Sequence, residues 1–390
     1  MQKFTRLLNL SSYLNKSSLF LFGPRGTGKS FLIREIVPQI PKIDLLRSKE
    51  FLRFSKDPSL LESIVELRPN DKMMVIDEIQ KLPILLDEVH RLIEEKGIHF
   101  LLTGSSARKL KRNQANLLAG RARSLKLHPL CFKEIPQFYL ESYLLWGGLP
   151  AVQHLELEDR PLFFESYVET YLKEEILMEQ VTRKLPHFSR FLTTAALCSG
   201  EMINYTKIAN DAQCPVSTTK NYFEALEDTL IATTLDPWVE SKKRKAIMTS
   251  KFYFFDIGVV HHLLNIQTLR EGSTDYGRAF EHFIFMELKA FQSYHHLQLQ
   301  LYYWRSVNHQ EVDFILGPLA IEVKSTSKSN INDAKNLFAL REEEVFGHYI
   351  VVSRDVISYK KNGILFLHWN EFLEKLWSIK KIEDFSVNFQ

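Results

Sequence analysis

Cysteine is scarce in this chain: Cys131, Cys198 and Cys214 are the only three in 390 residues, far apart and without a CxxC pair. That excludes a disulfide-stapled scaffold and a zinc ribbon, and it makes a reducing cytoplasm the expected setting. Long apolar runs are missing as well. No uncharged stretch approaches the roughly 18 residues that a membrane helix requires, so no membrane partner is expected. The start, MQKFTRLLNLSSYLNKSS, carries early positive charge, but Asn9, Ser11, Ser12 and Asn15 break its apolar core, which argues against a secretory leader. Neither sign of charge dominates, since 50 Lys and Arg stand against 47 Asp and Glu and leave +3. The total therefore gives no ground for inferring a polyanion partner and none for excluding one. Repeats and low-complexity tracts are also lacking, and 45% hydrophobic with 25% charged residues excludes a disordered or collagen-like chain.

What is present divides into units. The length predicts two or three domains at roughly 150 residues each. Residues 1–135 alternate strand and helix patterns, the mark of an α/β layer architecture. Apolar strands are predicted at Leu19 to Phe22, Met73 to Ile76 and His99 to Leu102, with helices at Phe31 to Val37 and Ile84 to Glu95. Residues 136–186 turn helical and aromatic, a lid or linker. Over 187–265, helices at Phe188 to Cys198, Tyr205 to Asp211 and Ser217 to Asp228 precede a strand at Leu230 to Leu235. That order suits a winged helix-turn-helix; a plain helical lid is the competing reading. Residues 266–390 open with a helix, Tyr276 to Phe291. Strands follow at Leu299 to Arg305, Glu311 to Leu316 and Leu319 to Lys324, then a helix (Asn332 to Glu344) and a strand (His348 to Ser353).

The most informative motif is GPRGTGKS, covering Gly23, Pro24, Arg25, Gly26, Thr27, Gly28, Lys29 and Ser30. It matches GxxxxGK[ST] in full, after an apolar strand and at the start of a helix. Backbone N–H groups of such a loop wrap phosphates, helped by the partial positive charge of the helix N-terminus. Lys29 is placed to reach the β- and γ-phosphates of ATP, and the Ser30 hydroxyl to hold Mg2+. MMVIDEIQ then offers an acid pair at a strand end. Asp77 suits the Mg2+, and Glu78 suits polarising the attacking water. At the next strand tip, Thr103, Gly104, Ser105 and Ser106 could sense the γ-phosphate or simply form a polar turn; Ser105 is taken as a nucleotide contact. Between Glu95 and Glu134 there is no acid, but there are nine positive charges: Lys96, Arg108, Lys109, Lys111, Arg112, Arg121, Arg123, Lys126 and Lys133. A solvated face, an arginine finger and a nucleic-acid track are all open readings of that run. The basic run Lys242 to Lys245 is read as a solvated loop, with DNA phosphate contact as the alternative.

A second site is predicted near the C-terminus. ExK occurs four times, but only AIEVK, Ala320 to Lys324, reads as a half-buried strand with Glu322 and Lys324 on one face. EVDFIL supplies Asp313, and a turn at Gly317-Pro318 would fold the two strands into a hairpin. Asp313 and Glu322 could then converge on one divalent cation, Mg2+ or Mn2+, with Lys324 steadying a water and Glu281 completing the set. Helix, three strands, helix, strand is the core order of restriction-endonuclease-like folds.

GPRGTGKS, VIDEIQKLP, LLTGSSARKL, LAGRARSLKLHPLCFKE, LLWGGLP, SKFYFFDIG, YGRAFEHFIFMEL and EVDFIL…AIEVK occur together over nearly the whole chain. This combination resembles the prokaryotic AAA-type ATPases that carry a C-terminal PD-(D/E)XK-like domain long labelled a domain of unknown function. The resemblance implies an α/β multidomain protein: a P-loop AAA-type ATPase core, a winged-helix connector and a restriction-endonuclease-like domain. It implies nucleotide roles for Lys29, Ser30, Asp77 and Glu78, makes Arg121 of the GR motif the candidate finger, and assigns Glu281, Asp313, Glu322 and Lys324 to the nuclease-like site. An arginine finger acting across a boundary would require a homo-oligomer. Many relatives carry an Arg-Asp pair where this chain has Lys173, Glu174 and Glu175. The expected function is ATP hydrolysis coupled to DNA binding and metal-dependent phosphodiester cleavage. The alternative is an ATP-driven switch whose last domain docks DNA or protein without catalysis.

Overall fold

The computed structural model describes residues 3–14, 16–106, 120–172, 185–295 and 297–390. Its first sheet has five strands: β1 (Ser18–Phe22), β2 (Lys42–Asp44), β3 (Met73–Asp77), β4 (His99–Gly104) and β5 (Ala122–Lys126). All pair in parallel, in the order β2-β3-β4-β1-β5. Parallel strands buried on both faces require continuous apolar sequence, and every residue of β1 and β3 is buried. The edge strands β2 and β5 lack such a run. Only Leu125 of β5 is buried, which is why the polar segment ARSLK does not announce itself as a strand.

Three helices follow, at Leu185–Leu197, Tyr205–Asp211 and Val216–Asp228, then an antiparallel pair of β6 (Ala232–Leu235) and β7 (Lys251–Phe254). One core holds Leu149, Val152, Phe164 and Tyr167 together with Phe188, Phe191, Tyr222 and Phe254. Residues on either side of position 186 therefore share their hydrophobic interior. Two glycine-bearing motifs meet here. Asp256 caps the helix Ile257–Leu263 and accepts the Gly148 N–H at 2.8 Å. A Cβ at Gly147 would lie 2.3 Å from the Asp256 carboxylate, so this contact requires glycine.

The last unit holds a six-stranded sheet in the order β12-β13-β11-β10-β9-β8, from β8 (Leu301–Arg305), β9 (Glu311–Leu316), β10 (Leu319–Lys324), β11 (His348–Ser353), β12 (Tyr359–Lys361) and β13 (Ile364–His368). β9 and β10 form the antiparallel hairpin that Gly317-Pro318 suggests. The expectation of a half-buried β10 is corrected: five of its six residues are buried. β10 runs through the middle of the sheet. Ile321 packs with Phe283 of the helix Thr274–His295, and Ala320 packs with Leu337 and Leu340 of the helix Lys335–Arg341.

The 22-residue helix Thr274–His295 ties the molecule together. Its residues Phe280, Phe283 and Phe291 belong to the core under the second sheet, while Ala290 and Tyr294 pack with Leu19, Leu21 and Leu125 of the first. Among the described residues, no helix is long and apolar enough to cross a membrane.

Candidate functional site

β1 runs straight into the loop Gly23 to Ser30, and the helix Lys29–Ile36 leaves it. Gly28 sits at φ 93°, in left-handed space that an L side chain resists, and so delivers the chain into the helix. The loop's carbonyls are held both by its own Lys29 and by residues from outside. Lys29 Nζ donates to Gly23 O at 2.7 Å and Pro24 O at 3.1 Å. Tyr167 Oη donates to Arg25 O at 2.7 Å, and Arg6 Nη1 donates to Thr27 O at 2.7 Å.

Because β4 lies between β1 and β3, its tip stands between the loop and the acids that end β3. Ser30 Oγ donates to Asp77 Oδ2 at 3.3 Å, and Lys42 Nζ lies 2.5 Å from the same oxygen. Thr103 donates its hydroxyl to the other oxygen, Asp77 Oδ1, and accepts the Glu78 N–H at 3.2 Å. Glu78 occupies left-handed backbone at φ 62°. A non-glycine residue there costs on the order of 1–3 kcal/mol and persists where its surroundings over-determine it, a pattern concentrated at functional sites. Gln80 Nε2 donates both to Glu78 and to Ser105 Oγ, the latter at 3.0 Å, so Ser105 meets the acid through Gln80. A hydroxyl and a carboxylate converging beside a helix N-terminus form the donor set that a magnesium-bound phosphate chain requires. Ser30, Asp77 and Glu78 are thus brought together, and Lys42 and Gln80 join them. Gln80 closes the MMVIDEIQ segment, whereas no motif marks Lys42.

Arg121 lies elsewhere. β1 and β5 pair with Ser18 beside Ala122 and Phe22 beside Lys126, so Arg121 sits at the end of the sheet remote from the loop. Six residues of strand separate it from the loop-level Leu127, about 20 Å, and its side chain pairs with Glu94. Within one chain it cannot meet the nucleotide of its own loop. Of the basic run, Arg108, Lys109, Lys111 and Arg112 lie outside the described residues, as do Lys173 to Glu175. Lys96 pairs with Glu66 and Lys133 with Glu374. The run Lys242 to Lys245 is docked: the Glu343 carboxylate accepts the Lys242 N–H at 2.7 Å, and Arg244 donates to Ala339 O at 2.8 Å.

In the last unit, the hairpin places Asp313 and Glu322 one step beyond the paired Phe314 and Ile321. Asp313 Oδ2 accepts the Val323 N–H at 2.7 Å, and Lys324 Nζ lies 2.6 Å from Glu322 Oε1. Glu322 Oε2 is buried without a hydrogen-bond partner. Burial, Glu322 and Glu281 push Asp313 well above the usual carboxylate range, and burial lifts Glu322 to about 7 against the pull of Lys324. Glu281 meets a group that sequence reasoning did not find. Lys251 of β7, 3% exposed, lies 2.6 Å from Glu311 and 3.4 Å from Glu281, and Tyr253 Oη donates to Glu281 at 2.6 Å. Burial works against the charge of Lys251, yet Glu281, Tyr253, Glu311 and Asp313 keep its pKa raised. The orphaned Glu322 oxygen beside the Asp313 carboxyl fits a divalent cation, whose charge would offset the burial that disfavours two neighbouring carboxylates. Glu281 and Glu311 close on an ammonium instead, and among the described residues no group of three or more His, Cys, Asp or Glu is arranged to hold a metal. Glu311 lies two positions before Asp313 in EVDFIL, and Lys251 and Tyr253 lie in SKFYFFDIG, where their place in a motif was the readable signal.

Comparison with known proteins gives three family models in sequence. Residues 15–136 match the model described as AAA domain, residues 137–270 match Domain of unknown function (DUF8612), and residues 276–372 match Domain of unknown function (DUF4143). The chain is similar to an uncharacterized protein of Mycobacterium tuberculosis, 26% identical over 325 residues that make up 80% of this chain and 71% of that one. It is also similar to an uncharacterized protein of Methanocaldococcus jannaschii, 23% identical over 327 residues, 76% of this chain and 71% of that one. A solved structure titled "Replication initiator DnaA bound to AMPPCP and single-stranded DNA" matches at 12% identity over 58% of this chain and 89% of that one. Its TM-score of 0.27 is too low to bear on this fold. Residues 15–136 thus carry an AAA-type ATPase domain.

Proposed function

We propose that this chain hydrolyses ATP and uses its nucleotide state to govern a nucleic-acid-cleaving site in its last unit. The observation that carries the first half is the convergence of Ser30, Asp77 and Thr103 beside the loop, with Glu78 next in line. Lys29 leaves the loop carbonyls for the β- and γ-phosphates, Ser30 and Asp77 hold Mg2+, and Glu78 orients the attacking water. Arg121 reaches the γ-phosphate of a neighbouring copy, which makes the active form a homo-oligomer.

For the second half, Asp313 and Glu322 are the metal ligands, Lys324 steadies the water, and Glu281 completes the set only on leaving the Lys251 ammonium that it now faces. A divalent cation there supplies charge to stabilise the departing phosphodiester oxygen and acidity to activate water. The three helices and the β6–β7 pair form a winged helix that engages DNA. Its helix Val216–Asp228 exposes Ser217, Lys220 and Asn221 near its start, side chains suited to phosphate and base contacts. One observation favours a second reading: Lys251 sits among the acids of the last unit, as it would in a docking module without catalysis.

A cleavage panel separates the two. Wild type and Glu322→Ala are incubated with duplex, single-stranded and forked DNA and with RNA, in Mg2+ or Mn2+, with and without ATP. Cleavage that Glu322→Ala abolishes and ATP modulates supports the nuclease. No cleavage of any substrate, or equal cleavage by Glu322→Ala, removes it and leaves the docking module.

A further inference from the structure

We infer that Arg6, which lies outside every recognised motif, is a positioning residue of the phosphate loop and joins that loop to the last unit. The inference rests on the nucleotide reading above. Arg6 donates hydrogen bonds from both terminal guanidinium nitrogens, and its Nε, which makes no hydrogen bond, faces a carboxylate as an ion pair. Nη1 donates to Thr27 O at 2.7 Å, Nη2 donates to His128 O at 2.6 Å and Tyr294 Oη at 3.2 Å, and Nε lies 3.0 Å from Glu134 Oε1. The side chain is 5% exposed.

The peptide geometry gives this contact its consequence. Thr27 C=O and Gly28 N–H belong to one planar trans unit, so they point in opposite directions. Holding the carbonyl outward on Arg6 turns the Gly28 N–H into the concave side of the loop, where phosphate oxygens accept hydrogen bonds. Gly28 has no side chain to fix its own orientation, and its left-handed backbone is one of several states glycine visits readily. An external clamp therefore matters here, as the Tyr167 contact to Arg25 O does for Gly26, the loop's other left-handed glycine. Arginine suits the task because its rigid fork satisfies several acceptors at once, which a lysine ammonium on a flexible stem does not.

The opposite side of the guanidinium ends on the C-terminal unit. Tyr294 Oη accepts from Arg6 and from the His128 N–H at 3.1 Å, and Ser293 Oγ lies 2.8 Å from His128 Nε2. Tyr294 sits in the last turn of the helix Thr274–His295, and Glu281 sits on the same helix. Thirteen residues separate them, roughly 20 Å at 1.5 Å per residue. A nucleotide that reorganises the loop must act on Arg6, and through it on a rigid element that carries a residue of the acidic site. By linkage, the last unit biases nucleotide affinity in return.

The test measures binding of a fluorescent ATP analogue, melting temperature, and amide exchange at Gly26 to Ser30 in the full chain. Arg6→Lys keeps the charge and loses the fork. Its dissociation constant should rise by about tenfold or more, the effect of losing a hydrogen bond to a charged group, with faster exchange at Gly28. Tyr294→Phe, which removes one hydroxyl, should raise it less. The double variant Arg6→Met/Glu134→Gln avoids a lone buried charge and should bind as weakly as Arg6→Lys while folding. Wild-type affinity and wild-type Gly28 exchange in either Arg6 variant overturn the inference while leaving the nucleotide reading intact. Absence of binding by wild type overturns both.

Discussion

A single hydroxyl holds both acids at the end of β3: Thr103 donates to Asp77 Oδ1 and accepts the backbone N–H of Glu78. Thr103 belongs to β4, the strand inserted between the loop strand and the acid strand. The topology thus decides which residue can align the proposed metal ligand and the proposed water-orienting group together. Thr103→Val is nearly isosteric and removes the hydroxyl. Losing a hydrogen bond to a charged group costs about 1.5–3 kcal/mol. The ATPase kcat should fall about 10- to 100-fold, by RT ln of the rate ratio, with KM changed much less. Equal loss in nucleotide affinity would assign Thr103 to binding rather than to alignment.

Lys251 makes a contrasting prediction for the last unit. Its ammonium balances Glu281 and Glu311 beside the buried Asp313. Removing one partner of a buried ion pair costs about 3–5 kcal/mol because the remaining charge is left uncompensated. Lys251→Met should lower the melting temperature in EDTA, and Mn2+ should restore it. The wild-type transition should shift less with Mn2+. Identical metal responses in the two proteins would show that Lys251 does not compete for the acids.

The pH dependence of stability should reveal Glu287. Burial pushes this carboxyl from its ordinary 4.5 up to about 8, although Phe132 N and Trp377 Nε1 both donate to it. Between those values the native chain keeps a proton that the unfolded chain has released. The native state therefore binds more protons, and the contribution of Glu287 to stability declines as pH rises through this window. Glu287→Gln should give a flatter plot of melting temperature between about pH 5 and pH 8. A slope as steep as the wild type's would place the titration elsewhere.

Arg121 predicts dependence on assembly. Since it lies at the sheet end remote from its own loop, Arg121→Ala should slow ATP turnover only where copies associate. Mixing Arg121→Ala with Lys29→Ala should restore turnover above the sum of the two alone, because each supplies what the other lacks. Strictly additive rates would argue against a finger acting between copies.

The sequence disclosed the parts that depend on residue type and spacing. GPRGTGKS, the apolar β3 ending in Asp77, and the turn that pairs Asp313 with Glu322 all carry their chemistry in consecutive residues. Strand limits at Glu311, Leu316, Leu319 and Lys324 were legible for the same reason. What stayed hidden depends on chain folding. Arg6 bonds largely to backbone carbonyls, which every residue possesses, so no pattern marks it. Lys251 reaches Glu311 and Glu281 from another unit of the chain, and the motif that holds it does not name those partners. β10 looked half-buried because Glu322 and Lys324 alternate with apolar residues. The helix Lys335–Arg341 nevertheless covers that strand's other face, and Glu322 is buried. Alternation reports polarity, and burial follows polarity only where no second layer intervenes.

Glu78 offers the most direct test, since hydrolysis rather than mere binding is the central claim. ATP turnover and retained ATP should be measured side by side for wild type, Lys29→Ala and Glu78→Gln in Mg2+. Lys29→Ala should bind no nucleotide, whereas Glu78→Gln should bind ATP as wild type does and turn it over about 100-fold more slowly or worse, the scale of losing a general base. Wild-type turnover by Glu78→Gln would contradict the assignment on which the whole reading stands.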